Sequence, residues 1–177
     1  QIPQSKEFEV AQSVIREGVQ LLEQQGLVSS VANVGVSVRQ MGREELIGAY
    51  QVREVLEGLA ARLCCRTASR ADVEGLEEAA NRIYSARDAS QLSLRNELEH
   101  QFHHRFVELS GNDTLVLQSA GYRFVGALVV TDRDPVELLQ EHLAIVSAIA
   151  ANDPDKAERV ARAHVAASAQ SIREQFE

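Results

Sequence analysis

The sequence predicts a mainly α-helical protein, an antiparallel bundle of about six helices preceded by an incomplete winged helix-turn-helix. From residue 43 onward, apolar residues recur at helical spacing in six consecutive segments. Short links with helix-capping residues separate these segments. Before residue 43 the pattern changes to one helix followed by two brief β-like runs. We therefore predict two domains, residues 1–42 and residues 43–177.

Composition and charge support this division. The chain has 177 residues, 45% hydrophobic and 25% charged, which is ordinary for a globular protein. It has no apolar run near the ~18 residues of a membrane span and no signal-like N-terminus, so we expect a cytoplasmic protein without a membrane partner. Residues 1–43 carry equal numbers of basic and acidic side chains, so the whole net charge of −8 falls on the remainder. This asymmetry indicates two parts with different partners.

The N-terminal part has the order helix, strand, strand. A helix is predicted over residues 14–25 and ends at Gly26. Two β-like runs follow, residues 27–28 and 34–38, around the turn-prone Ser29-Ser30 and Asn33. A helix followed by a hairpin is the back half of a winged helix.

The bundle helices follow from their caps and stops. Ser69 with an acid three residues on starts one helix, Asp113 caps another, and Asp134 before Pro135 starts a third. In the first helix, the residues predicted to face inward are Leu46, Ile47, Tyr50, Leu56, Leu59, Ala60 and Leu63. The predicted helices cover residues 43–66, 69–86, 94–112 and 114–130, with two more that begin at 135 and 154. Cys64 and Cys65 are adjacent on a helix and point apart, so we interpret them as reduced core residues.

The helix over residues 94–112 carries the most informative side chains. Leu98, Phe102, Phe106 and Leu109 form its apolar stripe. Glu99 and His103 lie one turn apart at the edge of that stripe and point inward. His100 and His104 are predicted to face solvent.

Two further histidines, His142 and His164, lie on the apolar sides of the last two helices. A single buried histidine is usually hydrogen-bonded to a carbonyl group, and this alternative stays open for each of them. Three inward histidines and a glutamate would nevertheless all gain partners from one divalent ion. Glu99, His103, His142 and His164 suit Zn²⁺ first, and Ni²⁺, Mn²⁺ or Fe²⁺ otherwise.

Several motifs resemble the ligand-binding FCD domain of GntR-type regulators of the FadR subfamily, over about residues 43–177. They are YQVREVLE at 50–57, EHQFHHRF at 99–106, SGN at 110–112, EHLAI at 141–145, ND at 152–153 and AHV at 163–165. Many members of that family bind a divalent metal through an acid and three histidines. Those positions match the four residues above, with Glu99 where Asp is more usual.

The N-terminal part is similar to the DNA-binding head of the same family. VAQSVIREGV at residues 10–19 resembles the recognition-helix segment, which implies that Gln12, Ser13 and Arg16 contact DNA. Gln12 stands where arginine is usual.

The resemblance implies a transcriptional regulator, a repressor by expectation, that binds operator DNA as a homodimer. A small organic acid would act as effector, because a metal with open positions attracts anionic oxygen. Arg53 is the candidate second anchor for this acid, although an ion pair with Glu57 is an equal alternative. Two other classes stay open: a metal-dependent enzyme acting on a small organic acid, which we do not favour because no further inward acid or base is visible, and a metal-free acyl sensor.

Overall fold

The computed structural model describes residues 11–24, 28–31, 35–122 and 133–175. The chain divides into two compact units, Gln1–Met41 and Gly42–Glu177. Each unit is described by itself below.

The described part of the first unit contains one helix and a two-stranded antiparallel hairpin. Helix α1 covers Gln12–Gln24, β1 covers Val28–Val31 and β2 covers Gly35–Val38. Val28 pairs with Val38, and Val31 pairs with Gly35.

The prediction that Ser29-Ser30 form a turn was wrong, since both serines lie within β1. Ser30 donates to Glu23 from both its backbone nitrogen and its hydroxyl group, and Ser29 lies opposite Ser37. These contacts satisfy the two side chains in an extended conformation. The other predicted turn residue, Asn33, and the predicted stop at Gly26 lie outside the described residues.

The second unit is a helical bundle, as predicted. Its described part contains six α-helices and one short 3₁₀ helix, Ala89–Gln91. The α-helices are α2 (Arg43–Thr67), α3 (Arg70–Ser85), α4 (Leu92–Leu109), α5 (Asp113–Ala120), α6 (Pro135–Ala150) and α7 (Pro154–Gln175).

Most predicted caps are present. Ser69 and Asp72 form a reciprocal capping box at the start of α3, and Asp134 accepts hydrogen bonds from the first turn of α6. Helix α5 is capped by Asn112 rather than by the predicted Asp113, which lies inside the helix. The prediction of one helix over residues 114–130 was wrong, because α5 ends at Ala120 with Gly121 as its C-cap and a turn follows at residues 121–122. Residues 123–130 lie outside the described residues.

Helices α2 and α7 run antiparallel along the bundle. Their contacts proceed in opposite sequence order, since Glu54 pairs with Arg162 and Arg62 pairs with Asp155. Gly58 allows a close approach, because a Cβ atom there would overlap Cγ of Arg162.

The core lies between α2, α3, α4, α6 and α7, around the fully buried Phe102 and Phe106. Leu59 was predicted to face inward but is 39% exposed. Its neighbours Gly58, Ala60 and Ala61 are buried, so small residues occupy the inner face at this point. Cys64 and Cys65 are free thiols, with Cys64 buried against the carbonyl oxygen of Phe106. No helix in the described ranges is long and apolar enough to span a bilayer.

Candidate metal centre

Three helices bring the four predicted ligands together. Glu99 and His103 lie on α4, His142 on α6 and His164 on α7. One donor atom from each lies within 4.8 Å of the other three. Among the described residues, this is the one group of metal-ligating side chains that converges so closely.

The donor atoms face a common point. Nε2 of His164 lies 3.2 Å from Nε2 of His103. Oε2 of Glu99 lies 3.3 Å from Nε2 of His142 and 3.6 Å from Nε2 of His103. All three imidazoles are buried, and His142 is fully so. The apolar stripe of α4 produces this placement, because Phe102 packs against the rings of both His103 and His142.

His164 is hydrogen-bonded to Glu141, which is not one of the four candidate ligands. Oε2 of Glu141 lies 2.7 Å from Nδ1 of His164. Since an ionised carboxylate can only accept, Nδ1 carries the proton and Nε2 is left as a lone pair facing the centre. Arg133 in turn binds Glu141 through both terminal nitrogens, at 2.9 and 2.5 Å.

A second pair of a carboxylate and an arginine lies beside His103. Oε2 of Glu57 lies 2.8 Å from Nδ1 of His103, although the two atoms lack the alignment of a hydrogen bond. Arg53 donates to Oε1 of Glu57 from Nε at 2.8 Å, and its Nη2 lies at the same distance. Carboxylates that orient imidazoles in this way are characteristic of metal-bound histidines.

His142 differs from the other two. Neither of its ring nitrogens has a hydrogen-bond partner among the residues that the structure describes, and the ring is 0% exposed. Oε1 of Glu99 is likewise buried without a partner. A buried donor or acceptor that is left unpaired costs about 1–3 kcal/mol, so groups of this kind need an explanation. A cation bound between Nε2 of His142 and the Glu99 carboxylate would satisfy both, and the residues therefore fit a metal.

The charges of the group follow from burial and neighbours. Burial raises the pKa of Glu99, but the neighbouring histidines, His142 foremost, outweigh it and hold the pKa well below its usual range. Burial lowers the pKa of His103, yet the charge of Glu57 prevails and raises it to about 9. Burial lowers the pKa of His164 to about 4, despite Glu141. Glu57 has a lowered pKa because Arg53 and His103 together outweigh its burial.

Sequence reasoning missed the roles of Glu57, Glu141 and Arg133 at this centre. Only the i, i+4 spacing of Arg53 and Glu57 gave a signal, and it pointed to an ion pair. Glu141 directly precedes His142 but contacts His164 on another helix, which the spacing of residues cannot indicate.

The predicted solvent exposure of His100 and His104 was wrong. Both are half-buried, and both line a cavity beside Arg53, Glu57 and His103. Helix α5 follows α4 closely in the chain and covers this side, with Ser119 in the cavity wall. The prediction that neither histidine belongs to the four-residue group is consistent with the geometry.

Arg53 is buried and adopts the ion pair with Glu57 that the sequence left as an alternative. Its guanidinium group also lies over the Tyr50 ring. Arg53 also lines a second cavity, together with Glu99, His103 and His164. Its contact with an effector stays a prediction.

Gln12, Ser13 and Arg16, the predicted DNA contacts, lie in the first turns of α1 in the other unit. All three side chains are exposed. Their DNA contacts stay a prediction.

Comparison with known proteins identifies the family of the chain. The profile of the FCD domain matches residues 48–167, which include all four candidate ligands. A "Probable D-xylose utilization operon transcriptional repressor" of Paenarthrobacter nicotinovorans is 29% identical over 92% of this chain and 76% of its own length. The "Nta operon transcriptional regulator" of Aminobacter aminovorans is 25% identical over 90% of this chain and 76% of its own length.

Solved structures share the fold. The E. coli protein McbR/YncC has a TM-score of 0.79 at 16% identity, covering 98% of this chain and 85% of its own. A GntR regulator from Rhodococcus sp. RHA1 has a TM-score of 0.77 at 20% identity, covering 100% and 87%. At these identities the likeness concerns the fold.

Proposed function

The chain belongs to the FCD-domain family of GntR-type transcriptional regulators, and from this premise we propose that a divalent metal and a small carboxylate effector together control its binding to operator DNA. A metal-dependent enzyme, the alternative left open by the sequence, is set aside because the relatives are regulators rather than enzymes. We propose that the protein acts as a repressor, as the name of the first of these relatives indicates for that relative.

The convergence of Glu99, His103, His142 and His164 carries the proposal. The strongest support comes from His142, whose two ring nitrogens are buried and have no hydrogen-bond partner in the described part of the chain. A purely structural histidine would have such a partner. Imidazole and carboxylate donors suit Zn²⁺, our first choice, and also Ni²⁺, Mn²⁺ and Fe²⁺.

The effector would bind where the cavity meets the metal. Glu99, His103 and His164 all line a cavity that also contains Arg53. A Zn²⁺ ion that expands from four to five ligands, or a six-coordinate Ni²⁺, Mn²⁺ or Fe²⁺ ion, would keep an open position beside the four protein donors. Carboxylate oxygen is a good ligand for such a position. The carboxylate of a small organic acid would then lie next to side chains from α2, α4 and α7.

The first unit would bind the DNA. Its helix α1 exposes Gln12, Ser13 and Arg16, and the hairpin that follows has the order of a winged helix. One recognition helix reads one half-site, so a homodimer on a near-palindromic operator is the expected assembly. The acidic second unit would stay away from phosphate, and the protein would act in the cytoplasm with the DNA.

The test begins with metal analysis of the full chain by mass spectrometry. We expect about one ion per chain for the wild type and for His100→Ala, and a large loss for His103→Ala. Zinc at 100 times its Kd should raise the free energy of unfolding of the wild type by about 2.7 kcal/mol. His103→Ala should not show this stabilisation. No ion in the wild type would favour the metal-free sensor, and equal loss in both variants would place the ligands elsewhere.

The second half of the test concerns DNA. Sites selected from a random-sequence duplex library should be near-palindromic, and their binding should change when zinc and carboxylates are added together. Selection of no site by the metal-loaded chain would contradict the operator-binding role.

A further inference from the structure

The cavity beside the candidate metal centre is lined by an arginine, Arg95, that does not contact the four candidate ligands. Its wall includes Arg95 and Asn96 on α4, together with the apolar side chain of Leu138. It encloses about 490 Å³, open mouth included, which lies in the lower part of the range for ligand sites. Arg95 precedes Glu99 by one helical turn and His103 by two, so all three lie along one face of α4.

Among the described residues Arg95 has no partner, whereas Arg53, the other arginine of the cavity, has one. Arg53 is held by Glu57 and stacks on Tyr50. Across the described ranges of the chain, Arg95 has neither an ion pair nor a hydrogen bond. Glu99, its i+4 neighbour, approaches His142 and His103 instead. A guanidinium group offers five donors, and those of Arg95 are available to a ligand.

The charges around the cavity leave a positive surplus. Arg53 with Glu57 and Arg133 with Glu141 are neutral pairs. A divalent ion bound to Glu99 and neutral imidazoles retains one positive charge, and Arg95 adds another. A monocarboxylate would neutralise only one of them.

We propose that the effector is a compact acid with two anionic groups, one at the metal and the other on Arg95. This inference rests on the proposed function, since it assumes the metal-bound carboxylate. The rise along the helix places the Cα atoms of Arg95 and Glu99 about 6 Å apart, so a few carbon atoms between the two groups suffice. Bidentate binding of a carboxylate by arginine provides the geometry, and the Asn96 amide adds a neutral donor.

Titration calorimetry on the zinc-loaded full chain tests this. The probes are acetate and propionate against malonate, succinate and glutarate at pH 7.5. We expect at least one dicarboxylate to bind ten- to a hundredfold more tightly than either monocarboxylate, the range of a charge-assisted contact. Arg95→Gln should remove that difference while leaving metal content and monocarboxylate affinity unchanged. Arg159→Gln, the same charge change at an exposed site on α7, should keep the difference.

The outcomes separate the two proposals. If carboxylates bind in a zinc-dependent manner but dicarboxylates have no advantage, or keep it in Arg95→Gln, the Arg95 inference is overturned and the proposed function stands. If no probe binds the zinc-loaded wild type, or if binding survives chelation unchanged, both are overturned. Loss of metal in Arg95→Gln would also overturn the inference, because the arginine would then support the ion rather than the acid.

Discussion

Glu141 accepts a hydrogen bond from Nδ1 of His164, 2.7 Å away on another helix, although its own sequence neighbour is His142. The contact turns Nε2 of His164 toward Nε2 of His103, 3.2 Å away. Glu57 contacts Nδ1 of His103 in a similar way, through an ion-pair contact of 2.8 Å that lacks hydrogen-bond alignment. Two of the three histidines are therefore oriented by a carboxylate that is itself bound by an arginine, which prepares the centre before any ion binds.

Replacing Glu141 should weaken metal binding without removing a ligand. Glutamine keeps the size of the side chain but loses the charge that orients Nδ1 of His164. We expect Glu141→Gln to lower zinc affinity about 10–100-fold, as for other residues that support ligands from outside. Competition with a chromophoric chelator measures the change. Glu78→Gln, at an exposed site on α3, should leave affinity at the wild-type value.

His142 offers a test in the metal-free protein. Its ring nitrogens are buried without a hydrogen-bond partner among the described residues, so leucine of similar size would remove an energetic cost of about 1–3 kcal/mol. This gain should at least offset the lost 3.3 Å contact between Nε2 of His142 and the Glu99 carboxylate. In chelator, His142→Leu should have a free energy of urea unfolding equal to or above that of the wild type. With zinc present, the order should reverse, because the variant lacks a ligand. A loss of several kcal/mol in chelator would mean that His142 has a structural partner in the fold.

The sequence predicted the convergence of these four side chains because their positions obey helical periodicity. Glu99 and His103 share a face, and His142 and His164 lie on apolar stripes, so the phase of each helix was sufficient. The orienting carboxylates could not be found in this way. Glu57 and Glu141 act across helices, and their partners depend on how α2, α6 and α7 are placed around α4.

The predictions that were wrong failed for a similar reason. Leu59 fits the apolar pattern of α2, but close packing against α7 selects the small Gly58 and Ala61 for the inner face. His100 lies on the polar side of α4, and the following part of the chain partly covers it. Ser29-Ser30 has the composition of a turn, yet contacts with Glu23 and Ser37 satisfy it as a strand. In each case a tertiary contact overrides a correct local preference.

Arg53 and Glu57 should be strongly coupled. Removing one partner of a buried ion pair leaves an unpaired charge and costs about 3–5 kcal/mol. Arg53→Met should therefore destabilise the protein and weaken metal binding through Glu57. The double variant Arg53→Met/Glu57→Gln should recover much of the stability. Urea unfolding of the wild type, Arg53→Met, Glu57→Gln and the double variant measures this. Additive effects would contradict the coupling and return Arg53 to the role of a free effector anchor.

Cys64 should be inert to alkylation in the folded chain. Burial, foremost, raises the pKa of its thiol to about 12. At pH 8 the thiolate fraction is then very small, and iodoacetamide should label Cys64 only through unfolding. In Cys65→Ala, mass spectrometry should show a labelling rate that follows urea-induced unfolding. Rapid labelling without urea would contradict the burial.

The raised pKa of Cys64 also makes the stability of the protein depend on pH. Because the folded-state pKa of Cys64 lies above the ordinary value of 9, its contribution to stability is complete below pH 9. It is lost as the pH rises toward 12, since the unfolded chain binds fewer protons there. Cys64→Ala, compared in the Cys65→Ala background, should reduce the alkaline loss of stability.

The two kinds of exposed residue on α1 should affect DNA binding differently. Arg16 would contact phosphate, so Arg16→Gln should weaken binding to every duplex and reduce the slope of log K against log salt by about 0.9 for each phosphate that is no longer neutralised. Gln12 would read a base edge, so Gln12→Ala should weaken binding to the selected operator by about 1–3 kcal/mol per half-site and leave the slope unchanged. Arg159→Gln on α7 is the matched charge control. Fluorescence anisotropy over a salt series gives both quantities, and equal slopes for Arg16→Gln and the wild type would exclude Arg16 from the phosphate contacts.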